Sequence, residues 1–271
     1  MSVQKMDLAI CSFASGSSGN CFLIRTERTA LIIDAGISAK QTAEGLAALA
    51  LAPSDVGAVL ITHEHSDHIR GLKPLSRATG APVYLSRGSF EGIPFARELA
   101  DVRIFIPGES FSVGDILVES FPTSHDAADP SGFSFSAGGR RISIVTDTGT
   151  ITGGCFETVW DSDLFVLESN HDESMLRIGR YPWFLKQRIL SEMGHLSNDD
   201  AANALVEMLK KAEDMGRSKR RTVLLAHLSK ENNFPQMALA TMENILTAAG
   251  LKDAVRVEVL SRTERSPLYI L

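Results

Sequence analysis

The feature that most constrains this chain is an apolar segment, residues 56–61, that leads directly into a cluster of ionisable side chains. Residues 62–68 have the sequence Thr-His-Glu-His-Ser-Asp-His. The apolar segment has the length and composition of a buried strand, and the loop after such a strand can direct successive side chains to one point. Because charged groups in a core need compensation, the fold must bring further polar groups to this strand end.

The cluster contains four residues of types that bind metal ions, which are His63, His65, Asp67 and His68. Neutral imidazole and carboxylate are ligands that divalent metals such as zinc accept readily. One loop cannot complete a coordination shell, so we expect further ligands from other strand ends. The candidates are His125, Asp147 and His227, each of which follows a predicted strand. Together these residues predict a metal site at the ends of several strands.

The rest of the chain alternates strand-like and helix-like segments. The predicted strands are residues 8–13, 21–25, 30–34, 56–61, 82–85, 103–106, 116–121, 132–136, 141–146, 164–168, 222–226 and 255–260. The predicted helices are residues 38–50, 67–79, 89–99, a helix that begins after the capping residue Ser197, and residues 236–249. No internal repeat or Pro/Gly linker divides the chain. We therefore expect a single domain, residues 1–271, in which helices cover the outer faces of strand sheets.

The chain is acidic, with a formal net charge of −6, which argues against a surface that binds nucleic acid everywhere. A local basic patch, or metal ions, could still hold phosphates. The dense basic run at residues 217–221 is expected to be a solvated connection between a helix and a strand. If the substrate is a long nucleic-acid strand, this run or the surface around residues 180–188 is expected to hold it.

Three cysteines and the lack of long apolar stretches bear on the compartment. Cys11, Cys21 and Cys155 lie in apolar segments without metal-site spacing, which is typical of buried thiols. The N-terminus lacks the features of a signal peptide, and no stretch is apolar for long enough to span a membrane. We therefore expect a cytoplasmic protein that does not associate with membranes.

The motif at residues 63–68, followed by the three distant candidates, resembles the metallo-β-lactamase superfamily over nearly the whole chain. The resemblance implies an α/β fold, a four-layer αββα sandwich with the metals at one edge of the paired sheets. It also implies that a first metal is held by His63, His65 and His125, that a second is held by Asp67, His68 and His227, and that Asp147 bridges both.

Asp67 beside His68 implies the two-metal centre of the ribonuclease Z and glyoxalase II kind, rather than a β-lactamase with cysteine in its second site. No cysteine of this chain is near a ligand position in the sequence, which also argues against lactam hydrolysis. The expected cofactors are two divalent ions, zinc or manganese, and iron is also compatible with these ligands.

Further segments resemble the YycJ/WalJ group of this superfamily, namely residues 14–20, 168–172, 179–188, 194–198 and 226–233. That group is described as cytoplasmic metallohydrolases with 5′-to-3′ exonuclease activity on DNA. The resemblance implies a phosphodiester hydrolase, a nuclease for which DNA is favoured over RNA. Two alternatives stay open, which are a phosphodiesterase for small cyclic or nucleotide phosphodiesters and a thioesterase of the glyoxalase II kind. The sequence does not define an oligomeric state.

The resemblance also implies the catalytic groups. A hydroxide that bridges the metals would attack phosphorus in line, and Asp67 takes part in the chemistry as a ligand. His195 resembles the general acid of ribonuclease Z, and Glu168 occupies the place of the glutamate that orients it. The structural alternative for His195 is a position next to a helix cap.

Candidate substrate contacts lie in two loops. They are Ser15, Ser17 and Asn20 in a Gly/Ser loop, and Ser229, Lys230 and Asn232 directly after His227. Backbone N–H groups and hydroxyls of the first loop could bind an anion, although a structural turn explains the same residues, and the second set is equally compatible with a solvated loop. His171 is compatible with a place near the metals or with a role in anchoring its loop.

Overall fold

The structure is a computed structural model that describes residues 7–271, which form fourteen β-strands and nine α-helices. The strands are β1 (Ala9–Ala14), β2 (Cys21–Arg25), β3 (Ala30–Ile33), β4 (Val56–Leu60), β5 (Val83–Ser86), β6 (Val102–Phe105), β7 (Ser110–Val113), β8 (Ile116–Pro122), β9 (Ser131–Ala137), β10 (Arg140–Val145), β11 (Leu164–Glu168), β12 (Arg221–Ala226), β13 (Val255–Val259) and β14 (Tyr269–Ile270). The helices are α1 (Ala39–Ala47), α2 (Ser66–Ile69), α3 (Leu72–Thr79), α4 (Arg87–Gly92), α5 (Gly153–Val159), α6 (Glu173–Ile178), α7 (Trp183–Ile189), α8 (Asn198–Asp214) and α9 (Pro235–Ala248).

The strands form two seven-stranded mixed sheets. The first sheet has the order β14-β1-β2-β3-β4-β5-β6, and β3 to β6 are parallel. The second has the order β13-β12-β11-β10-β9-β8-β7, and β10 to β13 are parallel. Parallel strands bring their carboxyl ends to one edge of a sheet, which is where ligands bind in open α/β sheets.

Three apolar layers hold the sheets and helices together. Successive side chains of a strand point to opposite faces, so in β11 the side chain of Val166 enters the core between the sheets, whereas Phe165 packs against the helices. Helices α8 and α9 cover the second sheet through residues such as Leu205 and Met242. Helices α1 and α3 cover the first sheet in the same way. The four layers confirm the predicted αββα sandwich. No helix of residues 7–271 is both long and apolar enough to cross a membrane.

Most predicted elements are present, and the differences have local causes. The helix predicted over 67–79 is two helices, α2 and α3, because the chain turns at Gly71, where an added Cβ would lie 2.0 Å from the carbonyl oxygen of Ile37. The helix predicted over 89–99 is α4 followed by a short 3₁₀ turn, Ala96–Glu98. Two short strands, β7 and β14, and three short α-helices, α5, α6 and α7, were not predicted.

Candidate metal centre

The side chains of the predicted metal site lie at the carboxyl ends of strands from both sheets. Strand β4 leads into the loop and short helix that carry the four residues of the motif. The other three positions follow strands of the second sheet: His125 comes after β8, Asp147 after β10 and His227 after β12. The structure therefore brings all seven predicted ligands to one edge of the sandwich.

His63, His65 and His125 form a first cluster. The Nδ1 atom of His65 lies 3.1 Å from Nε2 of His63 and 3.3 Å from Nε2 of His125. In two of the rings the opposite nitrogen has a hydrogen-bonding partner. Nδ1 of His63 lies 3.0 Å from the Thr62 hydroxyl, and Nδ1 of His125 lies 3.1 Å from the carbonyl oxygen of Gly194. Three imidazoles are thus oriented with one nitrogen each toward a common point.

Asp67, His68 and His227 form a second cluster. The Oδ2 atom of Asp67 lies 3.5 Å from Nε2 of His68 and 3.7 Å from Nε2 of His227. Asp147 lies between the clusters, with Oδ2 at 3.4 Å from Nε2 of His68 and Oδ1 at 4.0 Å from Nε2 of His125. One carboxylate can therefore reach both groups.

The donor atoms fit divalent metal ions. Oδ2 of Asp147 and Nε2 of His227 are buried and have no hydrogen-bond partner among residues 7–271, an arrangement that costs about 1–3 kcal/mol for each unpartnered group. Both residues also adopt left-handed backbone conformations, with φ values of 56° and 55°, which are uncommon and strained outside glycine. Nitrogen and carboxylate oxygen donors held in this way suit a pair of borderline divalent cations.

Asp34 is a residue of the site that the sequence analysis missed. Its Oδ2 atom lies 2.8 Å from Nδ1 of His68, and its Oδ1 accepts a hydrogen bond from the backbone N–H of Thr62 at 2.9 Å. Asp34 follows β3 directly and has a φ of 61°. An acid immediately after an apolar strand was the signal that could have identified it, as it did for Asp147.

The two clusters differ in electrostatics. Burial lowers the pKa of His63 well below its usual range, and the neighbouring imidazoles of His68 and His125 lower it further. Burial also lowers the pKa of His227, but Asp147 and the adjacent acids outweigh it and raise the pKa to about 10. The first cluster therefore favours neutral imidazole, the ligand form, whereas the second attracts positive charge.

His195 and Glu168 lie beside the clusters. Oε1 of Glu168 lies 2.8 Å from Nδ1 of His195 and 3.0 Å from Nδ1 of His227, and Oε2 accepts the backbone N–H of Thr148 at 2.9 Å. Burial would raise the pKa of Glu168, but the two imidazoles lower it well below the usual value. The His195 side chain is 17% exposed, whereas those of His68, His125 and His227 are nearly fully buried. His195 is thus an imidazole that solvent can reach and that is hydrogen-bonded to a buried carboxylate.

The Gly/Ser loop lies against the second cluster. The Ser15 hydroxyl accepts a hydrogen bond from the backbone N–H of His227 at 3.0 Å. The side-chain nitrogen of Asn20 lies 3.1 Å from Nε2 of His68, and its side-chain oxygen Oδ1 accepts a hydrogen bond from the backbone N–H of Gly16 at 2.9 Å. Ser15 and Asn20 therefore support the site in this structure, whereas Ser17 is exposed.

The predicted contacts in the loop after His227 also include both buried and exposed residues. Ser229 and Asn232 are buried and hydrogen-bonded to each other, since the Ser229 hydroxyl accepts the backbone N–H of Asn232 at 3.2 Å, whereas Lys230 is exposed. His171 is buried, neither of its ring nitrogens has a hydrogen-bond partner in the described part of the chain, and burial lowers its pKa to about 4. Its backbone carbonyl accepts from Asn198 at 2.9 Å, which fits the loop-anchoring interpretation.

The fold and this edge of the sandwich define the class of protein. Residues 29–225 match the family described as "Beta-lactamase superfamily domain", and the chain belongs to this superfamily of metallo-β-lactamase-fold hydrolases. Two solved structures share the fold. The metallo-β-lactamase fold protein YhfI from Bacillus subtilis has a TM-score of 0.70 and 16% identity, over 96% of this chain and 99% of that chain. Human tRNase Z, short form, has a TM-score of 0.61 and 18% identity, over 97% of this chain and 100% of that chain.

Two relatives are similar over nearly their full length. The chain is 40% identical over 251 residues to exodeoxyribonuclease WalJ of Streptococcus pneumoniae, covering 91% of each chain. It is 36% identical over 272 residues to exodeoxyribonuclease YycJ of Bacillus anthracis, covering 98% of this chain and 99% of the relative. These similarities confirm the predicted resemblance to the YycJ/WalJ group.

Proposed function

We propose that this chain is a two-metal exodeoxyribonuclease that removes nucleotides from DNA in the 5′-to-3′ direction. The observation that carries this proposal is the pair of His/Asp clusters joined by Asp147, with the solvent-reachable imidazole of His195 beside them. The names of the two full-length relatives support DNA as the substrate.

The metals would be held by the clusters described above. The first ion would be bound by His63, His65 and His125, the second by Asp67, His68 and His227, and both by Asp147. Zinc or manganese suits these donors, and iron is also compatible. When bound, two such ions supply Lewis acidity and make hydroxide available as a nucleophile at neutral pH.

His195 is proposed as the general acid that protonates the departing oxygen. The carboxylate of Glu168 favours a proton on Nδ1 of His195 and keeps the ring oriented, which leaves Nε2 as the atom that gives its proton to the leaving group. Glu168 is therefore a positioning residue. The same carboxylate oxygen lies near His227, so the acid and one proposed ligand share a single support.

Substrate contacts are proposed for both loops that flank the second cluster. Ser17 and Lys230 are exposed and can reach a phosphate directly. The other four predicted contacts, Ser15, Asn20, Ser229 and Asn232, are buried and would act by holding the loop backbone against the substrate.

Residues 1–271 are proposed to act as one domain, because the two sheets share a core and each contributes ligands to the site. We also place the activity in the cytoplasm. Cys11, Cys21 and Cys155 are free and buried, as expected in a reducing compartment.

The decisive experiment is a parallel assay of the purified protein, loaded with Mn²⁺ or Zn²⁺, on 5′-phosphorylated DNA, matched RNA, cyclic phosphodiesters and a glutathione thioester. We expect metal-dependent release of mononucleotides from the 5′ end of DNA, abolished by chelation. Preferential turnover of the thioester, or of a small cyclic phosphodiester, would contradict the proposal.

A further inference from the structure

A cleft of about 610 Å³ lies next to the Gly/Ser loop, outside the two metal clusters. We name it the arginine cleft, because Arg70, Arg262 and Arg265 line it together with Ser18 and Gly19 of the loop. Its volume lies in the roughly 300–1,000 Å³ range of pockets for small-molecule ligands. The cleft can therefore hold a nucleotide-sized ligand, but it is too small for a duplex.

The three guanidinium groups of the arginine cleft are not neutralised by carboxylates. They donate hydrogen bonds to backbone carbonyls: Arg70 to Ser18 at 3.2 Å, Arg262 to Ser229 at 3.3 Å and Arg265 to Ser266 at 3.1 Å. Within residues 7–271, none of the three forms an ion pair. The carboxylate of Glu44, which also lines the cleft, lies 3.9 Å from the ammonium group of Lys40. The cleft is thus a local concentration of positive charge on an acidic chain.

The dense basic run at residues 217–221 contrasts with this cleft. Lys219 pairs with Asp163 at 2.9 Å, and Arg221 pairs with Asp161 at 3.4 Å. The run precedes and begins β12, whereas His227 follows the end of that strand. At about 3.3 Å per residue, the two ends of β12 are roughly 17 Å apart. The basic run is therefore largely neutralised and lies at the wrong edge of the sheet to bind a substrate of the metal site.

The arginine cleft lies next to the metal centre. Arg70 is two residues after His68, so their Cα atoms lie within about 7.6 Å of each other. Gly19 precedes Asn20, whose amide lies 3.1 Å from His68. The side chain of Arg262 packs over Gly16, where an added Cβ would lie 3.0 Å from its Cγ. A chain that occupies the metal centre can therefore extend into the cleft along the Gly/Ser loop.

We propose that the arginine cleft binds the backbone phosphates of single-stranded DNA next to the bond that is cleaved. This inference rests on the proposed nuclease function and names where the strand is held. Guanidinium groups match phosphate oxygens with paired N–H donors, and each Arg of the cleft keeps most of its five donors free. Because single-stranded DNA repeats its phosphates along the chain, it fits a row of unneutralised arginines that begins at the reaction centre.

The test compares the double variant R70Q/R265Q with the control R97Q/R220Q. Both variants remove two charges, and neither Arg97 nor Arg220 lines the cleft. Arg262 is left in place because it also packs over the Gly/Ser loop. Binding of fluorescent phosphorothioate oligothymidylates, two and eight nucleotides long, is measured by anisotropy with the Mn²⁺-loaded proteins between 50 and 200 mM salt. Equal thermal melting temperatures establish that each variant is folded.

For the octanucleotide, we expect R70Q/R265Q to reduce the salt dependence, the slope of log K against log salt, by roughly 1.4, since each phosphate contact on a single strand contributes about 0.7. Across that salt range, the control protein should lose roughly sevenfold more affinity than the double variant. The dinucleotide, which does not reach the cleft, should bind both variants equally.

Equal octanucleotide affinity and salt slope in the two variants would overturn the inference, while hydrolysis of unmodified DNA by the wild-type protein would leave the proposed function standing. A second outcome also distinguishes the nuclease proposal from the proposal that the arginine cleft binds DNA. If the wild-type protein leaves DNA intact but the octanucleotide binds as expected, the nuclease proposal fails and the arginine cleft stands as a DNA-binding site.

Discussion

At the scale of single residues, one carboxylate oxygen connects the proposed acid to the proposed metal ligands. Oε1 of Glu168 is near Nδ1 of both His195 and His227. His195 also lies with Asp147, Glu168 and His227 in a group whose candidate ligand atoms are within 4.8 Å of one another, so a metal ligand is the alternative role to test. The solvent exposure of the His195 side chain favours the role of general acid over that of metal ligand.

We expect His195→Ala to retain its metal while turnover on DNA falls by about 10²–10⁴-fold, the usual contribution of a general acid. Metal content by inductively coupled plasma mass spectrometry and initial rates of nucleotide release measure the two quantities. Loss of one metal equivalent in the variant would instead identify His195 as a ligand.

Asp34→Asn is expected to weaken metal binding about 10- to 100-fold, because residues that orient a metal-binding imidazole typically contribute that much. The amide can still accept from Thr62 but cannot act as a carboxylate toward His68. The matched control is Asp115→Asn, since Asp115 bonds Thr26 and Thr29 away from the site. Competition with a metal chelator gives the affinities, and equal values for both variants would exclude a role for Asp34.

Some residues of the site could be predicted from the sequence, and others could not. Three of the proposed ligands could be predicted because each follows an apolar strand, a pattern that the sequence alone shows. They are His125, Asp147 and His227. Asp34 was missed because it was counted as the end of its strand, and its contact with His68 reaches helix α2, which follows the neighbouring strand β4. Backbone strain at these positions has no sequence signal outside glycine.

At the scale of elements, the turn after β3 fixes the position of the motif. An added Cβ at Gly36 would lie 1.6 Å from the carbonyl oxygen of Asp67 and 2.6 Å from the backbone nitrogen of Asn20. The backbone of Gly36 also donates to the carbonyl of Asn20 at 2.9 Å. Three segments thus meet at a point where a side chain cannot be placed.

Gly36→Ala should therefore lower the free energy of unfolding by more than about 2 kcal/mol and reduce metal binding, since strain at such a contact is among the severe effects of single substitutions. Gly154→Ala is the control, because its Cβ would meet no atom within 4 Å in helix α5. We expect that control to be neutral or slightly stabilising. Denaturant unfolding measures both, and equal stabilities would contradict the close packing at Gly36.

The elements that were not predicted are short and weakly patterned. Strand β7 has four residues at the edge of its sheet, and its Ser-Phe-Ser-Val sequence is half polar. Helices α6 and α7 have six and seven residues, too few for a helical period to stand out. By contrast, α8 has a capping serine and a long apolar face, and its existence was clear from the sequence.

At the scale of the whole molecule, the metal centre joins the two sheets. The motif at residues 63–68 belongs to the first sheet, and His125, Asp147 and His227 belong to the second. Ions bound between them would act as links across the sandwich, in addition to the apolar core that includes Phe22 and Phe133.

Removal of the metals should therefore lower the thermal midpoint of unfolding. An ion at 100 times its dissociation constant stabilises the folded state by about 2.7 kcal/mol, and in a protein of this size that corresponds to roughly 5–10 °C. Differential scanning calorimetry before and after chelation, with restoration by Mn²⁺ or Zn²⁺, measures the shift. An unchanged midpoint after verified metal loss would show that the ions do not link the sheets.

The division of the ligands between the sheets has a consequence for synthesis. Residues 63–68 are made long before His227, and the second cluster lacks a member until His227 has been made. A nascent chain that ends before this residue cannot assemble both sites, so we expect a ribosome-bound fragment of residues 1–220 to take up less metal than the chain of residues 1–271. The pair of clusters, made in this order, stays incomplete until His227 has been translated.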